Sequence, residues 1–229
     1  MFDSKVFELA ITAGSTLVAA FVGSWAAFKL ENIRRVKDVR EKNVSNANSA
    51  LYTLYRMWNT LRQYQREVIE ECRGKPDNWL NMTATLSGIY DNVSVNKDDI
   101  SFLLATDDPQ AFAEVMLENQ RHSLALKLIN RRSDLIFDEV FPRMSNAQIP
   151  VGAQVPIGDV ERILGVSIVH QLKEHTRDII KFVDADVASL ENSFHKLRAA
   201  ALALYPGEKF IKVDFKEVPK KEIASASTK

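Results

Sequence analysis

A single cysteine, Cys72, among 229 residues excludes an internal disulfide and a thiolate metal site within one chain. An excess of either charge is also lacking. The 30 Lys and Arg offset 30 Asp and Glu, so no overall field argues for nucleic acid or an acidic substrate. No Gly-rich phosphate loop, nucleophile elbow, HExxH helix or paired CxxC occurs, which removes the common signatures of nucleotide hydrolysis, acyl transfer and metalloprotease chemistry. His122 and His195 each follow a glutamate by four residues, Glu118 and Glu191. Di-iron bundles use a spacing of three, so both pairs are expected on helix surfaces. No enzymatic activity, cofactor or metal is expected.

What is present is an uncharged stretch, Leu9 to Phe28. Twenty residues at about 1.5 Å each match the ~30 Å hydrocarbon core of a bilayer, which predicts one transmembrane helix over 9–28 behind a short extracytoplasmic segment 1–8. At 100° per residue, Ile11, Leu17, Val18, Phe21, Val22, Trp25 and Phe28 share one side, while Glu8, Thr12, Ser15, Thr16, Ala19, Gly23, Ala26 and Ala27 share the other. Ser15, Ala19, Gly23 and Ala27 recur every fourth residue, a run of small residues that lets helix backbones approach. Two readings of this face stand side by side. It is a packing seam between copies, or Thr12, Thr16 and Ser24 line a wet path with Glu8 at its mouth. Lys29, Arg34, Arg35, Lys37, Arg40 and Lys42 follow the span against Glu31, Asp38 and Glu41, so the positive-inside rule places the amino terminus outside and the carboxyl-terminal domain in the cytoplasm. The same distribution argues against a secretory signal peptide, whose positive charge precedes the apolar stretch. The juxtamembrane segment 29–43 is expected to contact lipid headgroups.

The remaining chain predicts an all-α domain over 44–205, an elongated helical bundle or coiled coil. A hinge is expected at 43–49, where Asn and Ser side chains compete for backbone hydrogen bonds. Val44, Ala47, Leu51, Leu54, Trp58, Leu61, Gln65, Val68 and Cys72 then form a heptad seam interrupted at Gln65. That seam belongs either to an ordinary core helix or to a coiled coil joining subunits beneath the membrane. A shorter helix is expected between Pro76 and Tyr90, and a long one from Asp107, Asp108 and Pro109 to Phe141, stopped by Pro142 and with a restart at Ser133 and Asp134. Phe112, Met116, Leu126, Ile129, Ile136 and Val140 mark its apolar face. After a loop over 144–156, a last helix carries an apolar stripe from Val160 to Leu204, with His175 as a hydrogen-bonded core residue and Asp186 in need of a partner or an aqueous lumen. Pro206 and Gly207 end it, leaving an extended segment and a disordered tail in 206–229.

Two basic clusters, Arg121, His122, Lys127, Arg131 and Arg132, and Lys173, Arg177 and Lys181, would together bind an anion such as a nucleotide or oligonucleotide if their faces met. Solvated helix faces carry the same pattern. One amino-terminal span with a small-residue face, a basic cytoplasmic edge and an all-helical domain resembles the membrane effectors of bacterial anti-phage defence, including the channel-forming effector of the Hailong type. The likeness is one of layout over the whole length, and no functional residue is carried over by it. It implies a homo-oligomer, such as a tetramer, in the bacterial inner membrane. Its channel would depolarise the cell and answer to a nucleotide-derived ligand at the cytoplasmic domain. A membrane-tethered scaffold or sensor without a pore shares this layout.

Overall fold

The computed structural model describes residues 4–86, 88, 90, 92–106, 109–150 and 153–215, with side chains from Gly14 onward. The tail 216–229, Asp107 and Asp108 lie outside the described residues. The fold is all-helical, with no strand among the described residues. Two compact units divide the chain, Met1–Ser45 and Asn46–Lys229.

Helix α1 (Ser4–Tyr64) supplies the whole of the described first unit and the opening of the second. In the first unit Leu17, Phe21 and Phe28 are 72%, 74% and 76% exposed, and the apolar row continues through Ile33, Val36 and Val39. Lys29 Nζ stands 4.9 Å from the Trp25 ring centroid. No helix among the described residues is long and apolar enough to cross a membrane, and the opening of the uncharged stretch, 9–13, lies outside the described side chains.

The expected hinge at 43–49 is replaced by continuous helix. One of its polar side chains, that of Asn48, is used elsewhere. Asn48 Nδ2 donates to the Lys209 carbonyl and Oδ1 accepts from the Ile211 amide, at 3.2 and 2.9 Å, so the asparagine secures the chain after the last helix. In the second unit α1 buries Ala47, Leu51, Leu54, Met57 and Leu61, which sit at helical spacing on one face. These residues are fully covered within one chain, so the seam is a core face and not an intersubunit coiled coil. The polar break at Gln65 also has a cause. Here the helix widens into a π-helical turn, Gln65–Ile69, and the Gln65 amide donates to Asp184 Oδ1 at 2.6 Å. Arg73 grips the same carboxylate with two bonds of 2.9 and 2.8 Å and holds its pKa below the ordinary value. A last turn, α2 (Glu70–Cys72), ends before Gly74, whose φ of 75° is left-handed.

Among the described residues between Pro76 and Tyr90 the one helix is α3 (Asn78–Asn81), a single turn in place of the expected helix. A 3-10 segment, Lys97–Ala105, precedes α4 (Gln110–Leu135), which packs along α7 (Val166–Leu204). No restart occurs at Ser133, which is buried and donates to the Ile129 carbonyl at 2.9 Å. Pro142 does not stop the helix either. A π-helical turn, Ile136–Val140, carries α4 into α5 (Phe141–Asn146), with the Phe141 amide bonded five residues back to Ile136. Proline thus falls at the start of α5, where the turn of wider pitch accommodates it. The last helix is likewise two: α6 (Ile157–Leu164) and α7 meet at Gly165, whose φ of 81° and ψ of 158° suit glycine alone. The apolar stripe continues across the break, since Val160, Leu164, Ile168 and Leu172 are all buried. Phe215 then packs edge-on against Trp58 and Phe194, at 4.9 and 5.1 Å between centroids.

Candidate functional site

Residues 14–28 of α1 have two faces by helical geometry, and both are exposed in the single chain. Ser15, Thr16, Ala19, Gly23, Ser24 and Ala27 form the small face. A Cβ placed on Gly23 meets nothing within 4 Å, so its lack of a side chain serves no contact inside this chain. Glu8 and Thr12 lie outside the described side chains.

The eight residues expected to hold an anion do not converge. Arg132 is 1% exposed and spends its guanidinium inside the fold: Nε donates to Thr176 Oγ1 at 2.9 Å, and Nη2 donates to the carbonyls of Trp79 and Met82 at 3.0 and 2.8 Å. Its cation pins α3 to α4 and α7. His122 is wholly buried, Arg121 pairs with Glu118 at 2.8 Å, Lys173 with Glu161 at 2.7 Å, and Arg177 with Glu174. Lys181 is exposed on α7. Of the eight, Lys127 and Arg131 share a cleft of about 360 Å³, where His175 and Gln171 of α7 join them beside the three carboxylates of Asp134, Asp138 and Glu139. Neither cation is ion-paired among the described residues. His175 is half-buried and its Nδ1 lacks a partner, so it is not the hydrogen-bonded core histidine expected from the stripe. Burial lowers its pKa, and the Arg131 cation adds to this.

No protein family, curated protein or solved structure matches the chain.

The apolar periodicity hid a second constellation. α4 faces α7 with Val115, Glu118, His122, Ala125, Ile129 and Arg132, so half of that buried row is polar. Glu118 Oε1 accepts from Arg121 and Oε2 from Ser189 Oγ, each at 2.8 Å. Asp186, 5% exposed on α7, has its pKa pushed up to about 6 by burial and by the Glu118 carboxylate, with Arg121 opposing. Both His122 nitrogens are buried without a partner, and burial lowers its pKa to about 4. His122 is thus a neutral core residue and not the surface pair expected with Glu118. His195 is exposed and stands 4.0 Å from Glu191. Among the described residues no group of three or more His, Cys, Asp or Glu is placed to hold a metal ion.

Proposed function

We propose that the chain is a single-span membrane protein whose copies associate through the small face of residues 9–28 and enclose a gated pore. The observation that carries this is the surface of α1. Leu17, Val18, Phe21, Val22, Trp25 and Phe28 stand exposed together, while the second unit buries a complete core of its own. Such a continuous apolar surface is unfavourable in water and marks contact with lipid or another chain. The Lys29 ammonium over the Trp25 ring suits the interface, where both residue types anchor spans. By their spacing in the sequence, Thr12, Thr16 and Ser24 would line the path, with Glu8 at its outer mouth. In this reading the cytoplasmic ligand is an anion, a nucleotide or oligonucleotide, that meets Lys127 and Arg131 in their shared cleft.

Planar-bilayer recording of the purified chain tests the pore. Discrete currents are expected, altered by Thr16→Leu, and Gly23→Leu is expected to reduce the particle mass to that of one chain. Unchanged mass in the Gly23 variant would contradict the small-face seam. One observation favours a second reading, a membrane-tethered helical module without a pore: the Leu51–Leu54–Leu61 face closes within a single chain and leaves no intersubunit coiled coil there. Absence of current from a monomeric particle selects it.

A further inference from the structure

The second unit holds an apolar cleft of about 810 Å³ that neither membrane reading uses. Trp79, Val140 and Leu172, members of a small core cluster, lie at its base, with Met144 and Ile149 among the residues around them. The volume falls within the ~300–1,000 Å³ of small-molecule sites. Among the described residues no charged side chain lines it, and Ser145 and Gln148 are its polar side chains.

Three features distinguish it from a packing flaw. Its wall is built on the π-helical turn Ile136–Val140, a distortion that re-aims side chains and is frequent at functional sites. Phe141 lines the cleft yet is largely exposed, stacked edge-on against Phe137 at 5.6 Å, so the apolar surface extends to the lip. Gln148 has a φ of 57°, the left-handed region that a side chain disfavours, and such strain collects at ligand clamps.

We propose that this cleft binds the alkyl chain of a free long-chain fatty acid. A charged or sugar-bearing ligand would lose its hydration with nothing inside to replace it. Aliphatic side chains and a flexible methionine outnumber the two aromatic rings of the lining, Trp79 and Phe141, and suit a bending chain. A single cleft of this size takes one chain, whereas a phospholipid brings two. The Lys173 ammonium stands 5.1 Å from the centroid of the Trp79 ring that lines the cleft, and the carboxylate of the ligand would compete with Glu161 for it.

Trp79 reports on the site directly. In the full-length chain carrying Trp25→Phe and Trp58→Phe, reconstituted in lipid nanodiscs, 9,10-dibromostearate is expected to quench Trp79 saturably at one equivalent per chain. Ala153→Phe, which fills the cleft, is expected to weaken this at least tenfold with helix content unchanged. Ser145→Phe serves as a second filling variant should the first fail to fold. Lys173→Gln is expected to weaken dibromostearate severalfold without affecting the brominated alcohol. Quenching that rises without saturating, or that persists in the folded filled variant, overturns the proposal. Quenching by brominated phosphatidylcholine in place of the fatty acid overturns the choice of ligand. The readout does not depend on the membrane span, since a chain that stays in aqueous solution is titrated there in the same way.

Discussion

Replacing Arg132 by methionine is expected to lower the unfolding free energy of the second unit by about 2–4 kcal/mol. The side chain is 1% exposed and bonds the Trp79 and Met82 carbonyls and the Thr176 hydroxyl, with no carboxylate bonded to it. Burial lowers its pKa, so part of the attraction is already offset by desolvation. Methionine keeps the volume and removes that cost, but leaves two buried carbonyls without a donor, at ~1–3 kcal/mol each. With a denaturant slope of ~2 kcal/mol/M, the urea midpoint falls by about 1–2 M. Arg132→Lys is not expected to rescue it, because a single ammonium lacks the fork that reaches three acceptors. The neighbour on the exposed side, Arg131→Met, should stay within about 0.5 kcal/mol of the parent. An Arg132→Met chain as stable as the parent would mean that the guanidinium does not hold α3 in place.

Asp186→Asn is expected to act in the opposite direction, and only above acid pH. In the folded chain Asp186 titrates near 6, above its ordinary value of 3.8, because burial and Glu118 disfavour its charge. The folded state therefore keeps this proton to higher pH than the unfolded chain does, and stability falls as pH rises from about 4 through 6. At pH 8 the penalty is about 3 kcal/mol, since every pH unit between the unfolded and folded values is worth ~1.4 kcal/mol. Removing the charge recovers about 2–3 kcal/mol there and nothing below about pH 4. His122 slopes the other way. Its pKa near 4 lies below the ordinary 6.5, so the unfolded chain takes up that proton first and stability is lost as pH falls from 6.5 to 4. Glu118, Arg121 and Ser189 also face this cluster. The parent should thus show nearly level stability between about pH 4 and 6.5, and the Asp186→Asn chain a loss of about 3 kcal/mol as pH falls from 6.5 to 4. Urea titrations at about pH 4, 6 and 8 read both slopes. A parent and variant that run parallel across the range would contradict the assignment.

The elements that could be read directly were those whose buried faces are apolar. The α1 face at Leu51, Leu54 and Leu61, the α7 stripe at Ile179, Leu190, Phe194 and Leu197, and the end at Pro206 all follow from hydrophobic spacing. α4 misled because its buried row holds Glu118, His122 and Arg132, which sequence assigns to solvent. Two of the eight residues expected to bind an anion were therefore core. The break at Gly165 was hidden because the apolar stripe continues on both sides of it, and only the left-handed glycine betrays it. Pro142 reads as a stop unless the preceding π-helical turn is known. The apolar cleft depends on residues of the loop after α5 meeting α3 and α7, a juxtaposition no periodicity encodes.

A single span leaves the two ends of the chain on opposite sides of the membrane. Impermeant maleimide labelling of Ser4→Cys and Lys212→Cys in bacterial spheroplasts tests it directly, against a background in which the native Cys72 thiol is buried. The expected result is a membrane-bound protein labelled at position 4 in intact spheroplasts and at position 212 only after lysis. A protein recovered in the soluble fraction, or one that labels at both positions only after lysis, would contradict the span and its orientation.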